Sequence, residues 1–257
     1  MLRVIDLNSD VGESFGRWRL GDEEILPFVT SVNVACGMHA GDPVHMDEIV
    51  GKACELKLAI GAHPGFPDLQ GFGRRQMNLT PREIETYVLY QVSALKGFVA
   101  SRGSSLTHVK PHGALYNMAM VDDKVARALA RGVARAGERL ILVGLPGSCL
   151  LQAADAVGLP TAAEAFADRA YNSDGTLVER GLPGSIIEDP DEAARRALDI
   201  ALRRTTRSTD GKEISIPAKT ICVHGDTPGA VEIAKRIRQR LESAGVALRP
   251  LCEVVAD

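Results

Sequence analysis

Three short stretches place polar side chains at every second position, an arrangement that could support chemistry: Asp6-Asn8-Asp10, His108-Lys110-His112 and His224-Asp226. Residues two apart on a β-strand project from the same face, so each stretch directs its polar groups to one side of a sheet. Charged groups are seldom buried without partners. Together they could serve as general acids and bases, stabilise an anion or bind a cation.

The first stretch supplies carboxylates at the end of the first predicted strand, with Glu13 close behind. Asp10 or Asn8 could simply cap the following turn. Capping explains Asp6 poorly, because Asp6 lies inside the apolar run Val4–Leu7. We predict catalytic roles for Asp6 and Asp10, as a general base or as ligands of a divalent cation, and a substrate contact for Asn8.

The second stretch carries a cation where a parallel strand would normally bury aliphatic residues. Lys110 suits an anionic substrate or a developing oxyanion, and His112 suits a proton transfer. The alternative is a structural salt bridge between Lys110 and Asp6, and both interpretations can hold together.

Further candidates for substrate contacts are His39, His63, His224 and Asp226, which follow other predicted strands. His39, His63 and Asp6 are the candidate metal ligands. Because no H-E-x-x-H or C-x-x-C spacing is present, the sequence predicts no permanent zinc site.

The loop Pro64–Leu79 contains Arg74 and Arg75, directly after Gly71-Phe72-Gly73. Planar guanidinium groups match a carboxylate or phosphate with two parallel hydrogen bonds. We predict that one of the two arginines contacts the substrate, and that this loop is ordered over the site.

The elements that must position these groups are short apolar strands separated by helical or loop sequence. The predicted strands are Leu2–Asn8, Val32–Cys36, Ala59–His63, Leu106–Lys110, Leu140–Leu145, Thr161–Ala165 and Thr220–His224. This alternation predicts a parallel sheet or barrel. A cap residue followed by proline marks four helix starts, at Asp42, Thr80, Asp189 and Thr227. The polar segment Arg204–Glu213 is predicted to be mobile.

The bulk properties narrow the class of protein. A chain of 257 residues without a linker-like stretch predicts one domain, residues 1–257. A net charge of −3 predicts no general affinity for nucleic acid or membranes. The start lacks the apolar stretch of a signal peptide, so we expect a cytoplasmic protein. The oligomeric state stays open, a homo-oligomer included.

Several long motifs carry a resemblance to a known family. They are Asp6–Glu13, Asn33–Pro43, Gly61–Asp68, Gly71–Arg75, Val109–Asn117, Phe166–Tyr171 and Val223–Asp226. In these motifs the chain resembles the LamB/YcsF family, the A subunit of prokaryotic 5-oxoprolinase. The resemblance implies a seven-stranded, distorted TIM-like β/α barrel akin to the glycoside hydrolase/deacetylase fold. It also implies opening of the 5-oxoproline lactam to L-glutamate with ATP as co-substrate, Mg accompanying the ATP, and subunits B and C as partners.

On this interpretation Arg74 or Arg75 holds the substrate carboxylate, Lys110 stabilises the lactam oxygen, and Asp10 or His112 activates water. The sequence contains no Walker, Rossmann or nucleophile-elbow motif, so a nucleotide must be bound in another way or by a partner.

Two alternatives remain. One is a metal-dependent deacetylase or other amidohydrolase that uses Asp6 or Asp10 with His39 and His63. The other is a non-enzymatic protein that binds a small acid and passes it to partners.

Overall fold

Seven parallel strands form the centre of the structure. The computed structural model describes residues 3–227 and 229–256, so Leu2 of the first predicted strand lies outside the described residues. Neighbouring strands run in the order β1, β2, β3, β4, β5, β6 and β9, and β1 also pairs with β9, which closes the ring. The strands of the ring are β1 Arg3–Val11, β2 Ser31–Ala35, β3 Ala59–His63, β4 Leu106–Val109, β5 Ile141–Gly144, β6 Thr161–Phe166 and β9 Thr220–Cys222. The predicted TIM-like β/α barrel is confirmed.

The part of the chain that the structure describes has three further strands outside the ring. β10, Val246–Leu248, pairs in parallel with the first residues of β1. β7, Thr205–Arg207, and β8, Glu213–Ser215, form an antiparallel hairpin. The segment Arg204–Glu213 contains β7 and the first residue of β8, so this hairpin pairs its two ends. The mobility expected for it stays a prediction.

The described residues form eight α-helices, two of which, α3 and α4, follow each other directly between β4 and β5: α1 Pro43–Glu55, α2 Pro81–Ser101, α3 Gly113–Val121, α4 Asp123–Ala136, α5 Cys149–Ala156, α6 Pro190–Arg203, α7 Ala230–Ser243 and α8 Leu251–Ala256. A 3₁₀ helix spans Asp22–Phe28. None of the helices within residues 3–227 and 229–256 combines the length and apolar character needed to cross a membrane.

Helix starts follow the capping chemistry of the sequence in three places. The side chains of Asp42, Thr80 and Asp189 accept hydrogen bonds from the first turns of α1, α2 and α6. Thr80 and Glu83 form the predicted capping box. The start predicted at Thr227 is wrong, because Gly229 is the cap of α7; Pro228 lies outside the described residues.

Apolar faces of the helices cover the barrel, as Ile84, Val88 and Leu95 of α2 illustrate by their burial. One large core cluster links the barrel wall with the helices around it. This continuity is consistent with the predicted single domain over residues 1–257. The barrel interior differs from this apolar shell, since it is filled by buried polar side chains from β1, β2, β4 and β6.

Candidate functional site

A cavity of about 560 Å³ opens at the carboxyl ends of the barrel strands. This is the end at which β/α barrels assemble sites from the loops that follow the strands. Its lining includes Asp10, Glu13, His63, Arg74, Lys110, His112, Phe166, Arg169, Arg180, His224 and Asp226. Side chains from distant parts of the sequence thus share one space.

Lys110 follows β4 directly and lies at the centre of a buried charge cluster. Its Nζ atom is 3.0 Å from Asp10 Oδ1 and 2.9 Å from Glu164 Oε1. The same Nζ lies 2.9 Å from the sulfur of Cys222 and 5.1 Å from the centre of the Phe166 ring. One cation therefore faces two carboxylates, a thiol and an aromatic ring.

The electrostatics of this cluster keep Lys110 and Asp10 charged. Burial lowers the pKa of Lys110, but Asp10, Cys222 and Glu164 outweigh burial and raise the pKa well above its usual range. For Asp10, burial raises the pKa, and His63 and Lys110 together bring it below its usual range. Because burial lowers the pKa of His63 to about 3, this imidazole is neutral at pH 7, and we assign the stabilisation of the Asp10 carboxylate to Lys110.

Glu164, on β6, is the second carboxylate beside Lys110. Burial raises its pKa to about 7, against the opposing effect of Lys110. Its oxygens also accept hydrogen bonds from Asn8 Nδ2 at 3.1 Å and from the hydroxyl of Tyr116 at 3.2 Å. Glu164 is therefore a carboxyl group that can hold or release a proton near neutral pH.

A polar layer below the cavity orients the site. Asn33 Nδ2 donates to Asn8 Oδ1 at 2.8 Å and to Asp10 Oδ1 at 2.9 Å. His108 Nε2 lies 2.9 Å from Asn33 Oδ1. Gly61 leaves room for this imidazole, since a Cβ atom there would lie 2.2 Å from the His108 ring. Asn8 and His108 thus support the site from beneath.

Asp6 lies deeper still, outside the cavity. Its carboxylate accepts hydrogen bonds from the hydroxyl groups of Thr30, Ser31 and Thr220. The alternative of a direct Asp6–Lys110 salt bridge is wrong, because Asp10 and Glu164 occupy that role. Asp6 contributes instead to a buried hydroxyl network below the cavity.

Glu13, His39, His63 and His112 form a compact cluster in the cavity wall. Glu13 Oε1 lies 3.3 Å from both His39 Nε2 and His112 Nδ1, and His112 Nδ1 lies 3.0 Å from His63 Nε2. The rings of His39 and His112 are stacked, with their centres 3.8 Å apart. Of the candidate metal ligands, His39 and His63 meet here, whereas Asp6 is remote from them.

The two neighbouring arginines have different surroundings. Arg74 lines the cavity and its guanidinium group pairs with Asp226. Arg180, from the loop after β6, lies 3.8 Å from the same Asp226 carboxylate. Arg75 instead pairs with Asp68, and its side chain points away from the cavity with 64% of its surface exposed.

His224 is fixed by a carboxylate from the loop after β6. Asp168 Oδ2 lies 3.0 Å from His224 Nδ1 and accepts a hydrogen bond from the His224 backbone N–H at 3.0 Å. The hydroxyl of Thr227 also donates to Asp168, at 3.2 Å. Burial raises the pKa of Asp168, but His224 outweighs it and the pKa falls to about 2. The carboxylate therefore holds the proton of His224 on Nδ1 and leaves Nε2 free.

Seven of the predicted site residues line this cavity: Asp10, His63, Arg74, Lys110, His112, His224 and Asp226. Four predicted residues are elsewhere. Asn8 and Asp6 lie beneath it, His39 lies behind His112, and Arg75 faces outward.

Sequence reasoning missed Glu164, Asp168 and Arg180. Glu164 interrupts an apolar strand just as Asp6 does, so the same signal was available for it. Asp168 follows a strand end within one of the family-like motifs. Arg180 belongs to a loop without any distinctive spacing, and only the folded chain brings it to Asp226.

Comparison with known proteins identifies the family. Residues 5–256 match the LamB/YcsF family. The chain belongs to the LamB/YcsF family. A member from Geobacillus thermodenitrificans, named as the A subunit of 5-oxoprolinase, is 52% identical over 250 residues, 97% of this chain and 98% of that protein. A member from Pyrococcus abyssi with the same name is 50% identical over 252 residues, 98% of this chain and 99% of that protein.

A solved structure extends the likeness to three dimensions. The crystal structure of a lactam utilization protein from Thermus thermophilus has a TM-score of 0.91 and 48% identity, and the match covers 95% of this chain and 98% of that one. The LamB/YcsF barrel therefore matches a known structure over nearly its whole length.

Proposed function

We propose that this LamB/YcsF protein is the A subunit of an ATP-dependent 5-oxoprolinase, which opens the lactam ring of 5-oxoproline and releases L-glutamate. The proposal includes partner subunits B and C, ATP accompanied by Mg as co-substrate, and a cytoplasmic location. One observation carries it: relatives named as the A subunit of 5-oxoprolinase are about 50% identical over nearly the full chain. The cavity supplies chemistry that fits this reaction.

The reaction needs help at the lactam oxygen and at an attacking water molecule. A five-membered lactam resists hydrolysis, and conversion of its oxygen into a phosphate leaving group lowers the barrier. Lys110, charged and buried, is suited to stabilise negative charge that develops on this oxygen. Asp10, ionised beside it, is suited to accept a proton from water.

Asp10 is a better candidate for this base than His112. Both ring nitrogens of His112 already face protein atoms, because Nε2 lies 2.7 Å from the carbonyl oxygen of Phe72 and Nδ1 lies 3.0 Å from His63. The Asp10 carboxylate lines the open cavity. We therefore assign proton abstraction to Asp10 and a place in the cavity wall to His112.

The substrate carboxylate fits the rim that Arg74 and Arg180 share with Asp226. Two guanidinium groups converge there on one acidic side chain. A ligand carboxylate that displaces Asp226 would keep both cations paired. Because Arg75 pairs with Asp68, we assign the contact with the substrate carboxylate to Arg74.

The volume of the cavity leaves room for more than the lactam. At about 560 Å³ it lies within the range of sites that hold drug-sized ligands, and 5-oxoproline is much smaller. The remaining space can admit the phosphate end of a nucleotide held by a partner protein. The lack of a nucleotide-binding motif in this sequence agrees with that arrangement.

A second candidate function is metal-dependent hydrolysis of an amide without ATP. The cluster of Glu13 with three histidines favours it, because imidazole and carboxylate groups are typical ligands of hydrolytic metal sites.

The deciding experiment measures glutamate release from 5-oxoproline by the purified chain alone and mixed with subunits B and C, each with and without ATP. We expect release only from the complete mixture with ATP. Arg74→Gln should raise KM for 5-oxoproline by about tenfold or more, whereas Arg75→Gln, the matched control, should leave KM unchanged. Release by the chain alone without ATP would favour the second candidate, and no release under any condition would refute both.

A further inference from the structure

Four side chains at the carboxyl ends of four strands meet in the wall of the cavity. Glu13, His39, His63 and His112 follow or end β1, β2, β3 and β4, and all four are buried. One ligand atom from each lies within 4.8 Å of every other. Four possible ligand atoms from distant parts of the chain are therefore gathered in a small volume.

Backbone carbonyl groups fix the orientation of two of the imidazoles. His63 Nδ1 lies 2.7 Å from the carbonyl oxygen of Lys110, and His112 Nε2 lies 2.7 Å from the carbonyl oxygen of Phe72. A carbonyl oxygen only accepts hydrogen bonds, so these two nitrogens carry the ring protons. A neutral imidazole has one N–H and one lone pair. The lone pairs of His63 Nε2 and His112 Nδ1 therefore face each other, 3.0 Å apart.

The surrounding atoms add further acceptors. Glu13 Oε1 lies 3.3 Å from His112 Nδ1 and 4.0 Å from His63 Nε2, and Asp10 Oδ2 lies 3.4 Å from the same His63 nitrogen. Lone pairs and carboxylate oxygens repel one another at such distances unless a positive charge lies between them. The cluster therefore has the composition of a set of metal ligands. It contains no single hydrogen-bond donor that could satisfy the lone pairs of both imidazoles.

The spacing also fits a metal ion. With metal–nitrogen and metal–oxygen distances of about 2.0–2.1 Å, the ligand atoms of a tetrahedral site are about 3.3 Å apart. The distance from His63 Nε2 to His112 Nδ1 is 3.0 Å, and the distances from Glu13 Oε1 to these two nitrogens are 4.0 Å and 3.3 Å. The ring of His39 is stacked parallel to that of His112, so the in-plane lone pairs of these two rings cannot point to one ion, and His39 lies outside the ligand set. Hydrogen bonds from ligating imidazoles to backbone carbonyls are the usual outer support of such sites.

We propose that Glu13, His63 and His112 bind one divalent first-row metal ion of the zinc class. Two imidazole nitrogens with a carboxylate oxygen favour such an ion over magnesium or calcium, which prefer oxygen ligands. The inference goes beyond the proposed function, since binding by this chain alone does not depend on which substrate is used. A metal ion there would supply a Lewis acid to a carbonyl or phosphoryl oxygen in the cavity.

Tight packing around His39 supports the ligands before any ion arrives. A Cβ atom at Gly65 would lie 2.6 Å from His39 Nδ1, and one at Gly73 would lie 2.7 Å from His39 Cβ. His39 in turn stacks on His112, and its Nε2 lies 3.3 Å from Glu13 Oε1. Support of this kind limits the reorganisation that binding requires and lowers its cost.

The test uses the untagged full-length chain, stripped of metal by a chelator and then titrated with Zn²⁺ by calorimetry. We expect one ion per chain. His63→Ala, His112→Ala and Glu13→Gln should each weaken binding, by about 100-fold or more for the two histidines. The matched control is His45→Ala, a buried histidine that contacts Asp42 outside the cluster, and it should bind as the parent does.

Binding of less than one ion per chain, or equal affinity in the parent, His63→Ala and His112→Ala proteins, would overturn the proposal. Loss of binding in His45→Ala equal to that in His63→Ala would do the same. If the alanine variants do not fold, the visible spectrum of Co²⁺ bound to the parent chain decides. Intense bands of a four-coordinate ion support the site, and weak bands of a six-coordinate ion refute it. Because the readouts concern binding, a failed lactam assay leaves this result unaffected.

Discussion

Replacing Lys110 with methionine removes an ammonium group from between two buried carboxylates and keeps a side chain of similar length. The Nζ atom lies 3.0 Å from Asp10 and 2.9 Å from Glu164. At an effective dielectric constant of 20, each pair attracts by about 5.5 kcal/mol when its carboxyl group is ionised, before desolvation is counted. Removal of one partner from a buried ion pair typically costs about 3–5 kcal/mol, because the remaining charge stays uncompensated. We expect Lys110→Met to lower the free energy of unfolding by that amount at pH 7.

The assay is urea unfolding followed by far-UV circular dichroism. The matched control is Lys52→Met, whose partner Glu23 lies 3.6 Å away at the surface, and its cost should stay below about 1 kcal/mol. The loss of unfolding free energy in the double variant Lys110→Met/Glu164→Gln should be smaller than the sum of the losses in the two single variants, by about 1–3 kcal/mol. A Lys110→Met protein within about 1 kcal/mol of the parent would refute this account of the cluster.

Three further predictions concern other parts of the structure. The folded state keeps the Asp6 proton up to about pH 6, and the unfolded chain loses it near 3.8, so the free energy of unfolding should fall by about 3 kcal/mol as the pH rises across this window. Asp6→Asn should reduce that slope in urea titrations from pH 4 to pH 7, while the part of the slope that comes from Glu164 remains. Gly113→Ala, at φ +53° and with its Cβ 2.6 Å from a loop carbonyl oxygen, should cost about 1–3 kcal/mol in thermal or urea unfolding. Gly97→Ala in an open part of α2 should not destabilise the protein. Asp168→Asn should raise KM of the assembled complex for 5-oxoproline by about tenfold or more, because His224, a predicted substrate contact, loses its fixed tautomer, and an unchanged KM would contradict that contact.

The sequence was informative about the barrel because strand ends and helix starts have local causes. Short apolar runs alternate with helical segments, and the capping box at Thr80 and Glu83 depends on residues three apart. The start of α7 was mispredicted for a tertiary reason. The Thr227 hydroxyl donates to Asp168 across the barrel mouth, and the helix begins three residues later.

Contacts within the site were harder to predict because they join residues far apart in sequence. Arg74 and Arg75 are adjacent and chemically identical, and only the position of Asp68 decides which of them faces outward. Likewise the alternative interpretation of Lys110 paired it with Asp6, but in the folded barrel its partners are Asp10 and Glu164. The conformation of the loop Pro64–Leu79 decides the first outcome, and strand register decides the second.

The hydrogen bond from His112 Nε2 to the carbonyl oxygen of Phe72 joins the loop Pro64–Leu79 to the cavity wall. Any excursion of this loop releases the imidazole, which is then free to rotate or to move its proton to the other nitrogen. A ligand that enters past this loop would therefore also change the orientation or the protonated nitrogen of His112 in the cavity wall. A structure in which this loop is held open should show His112 in a new orientation. The lone pair of His63 Nε2 should then no longer face that of His112 Nδ1.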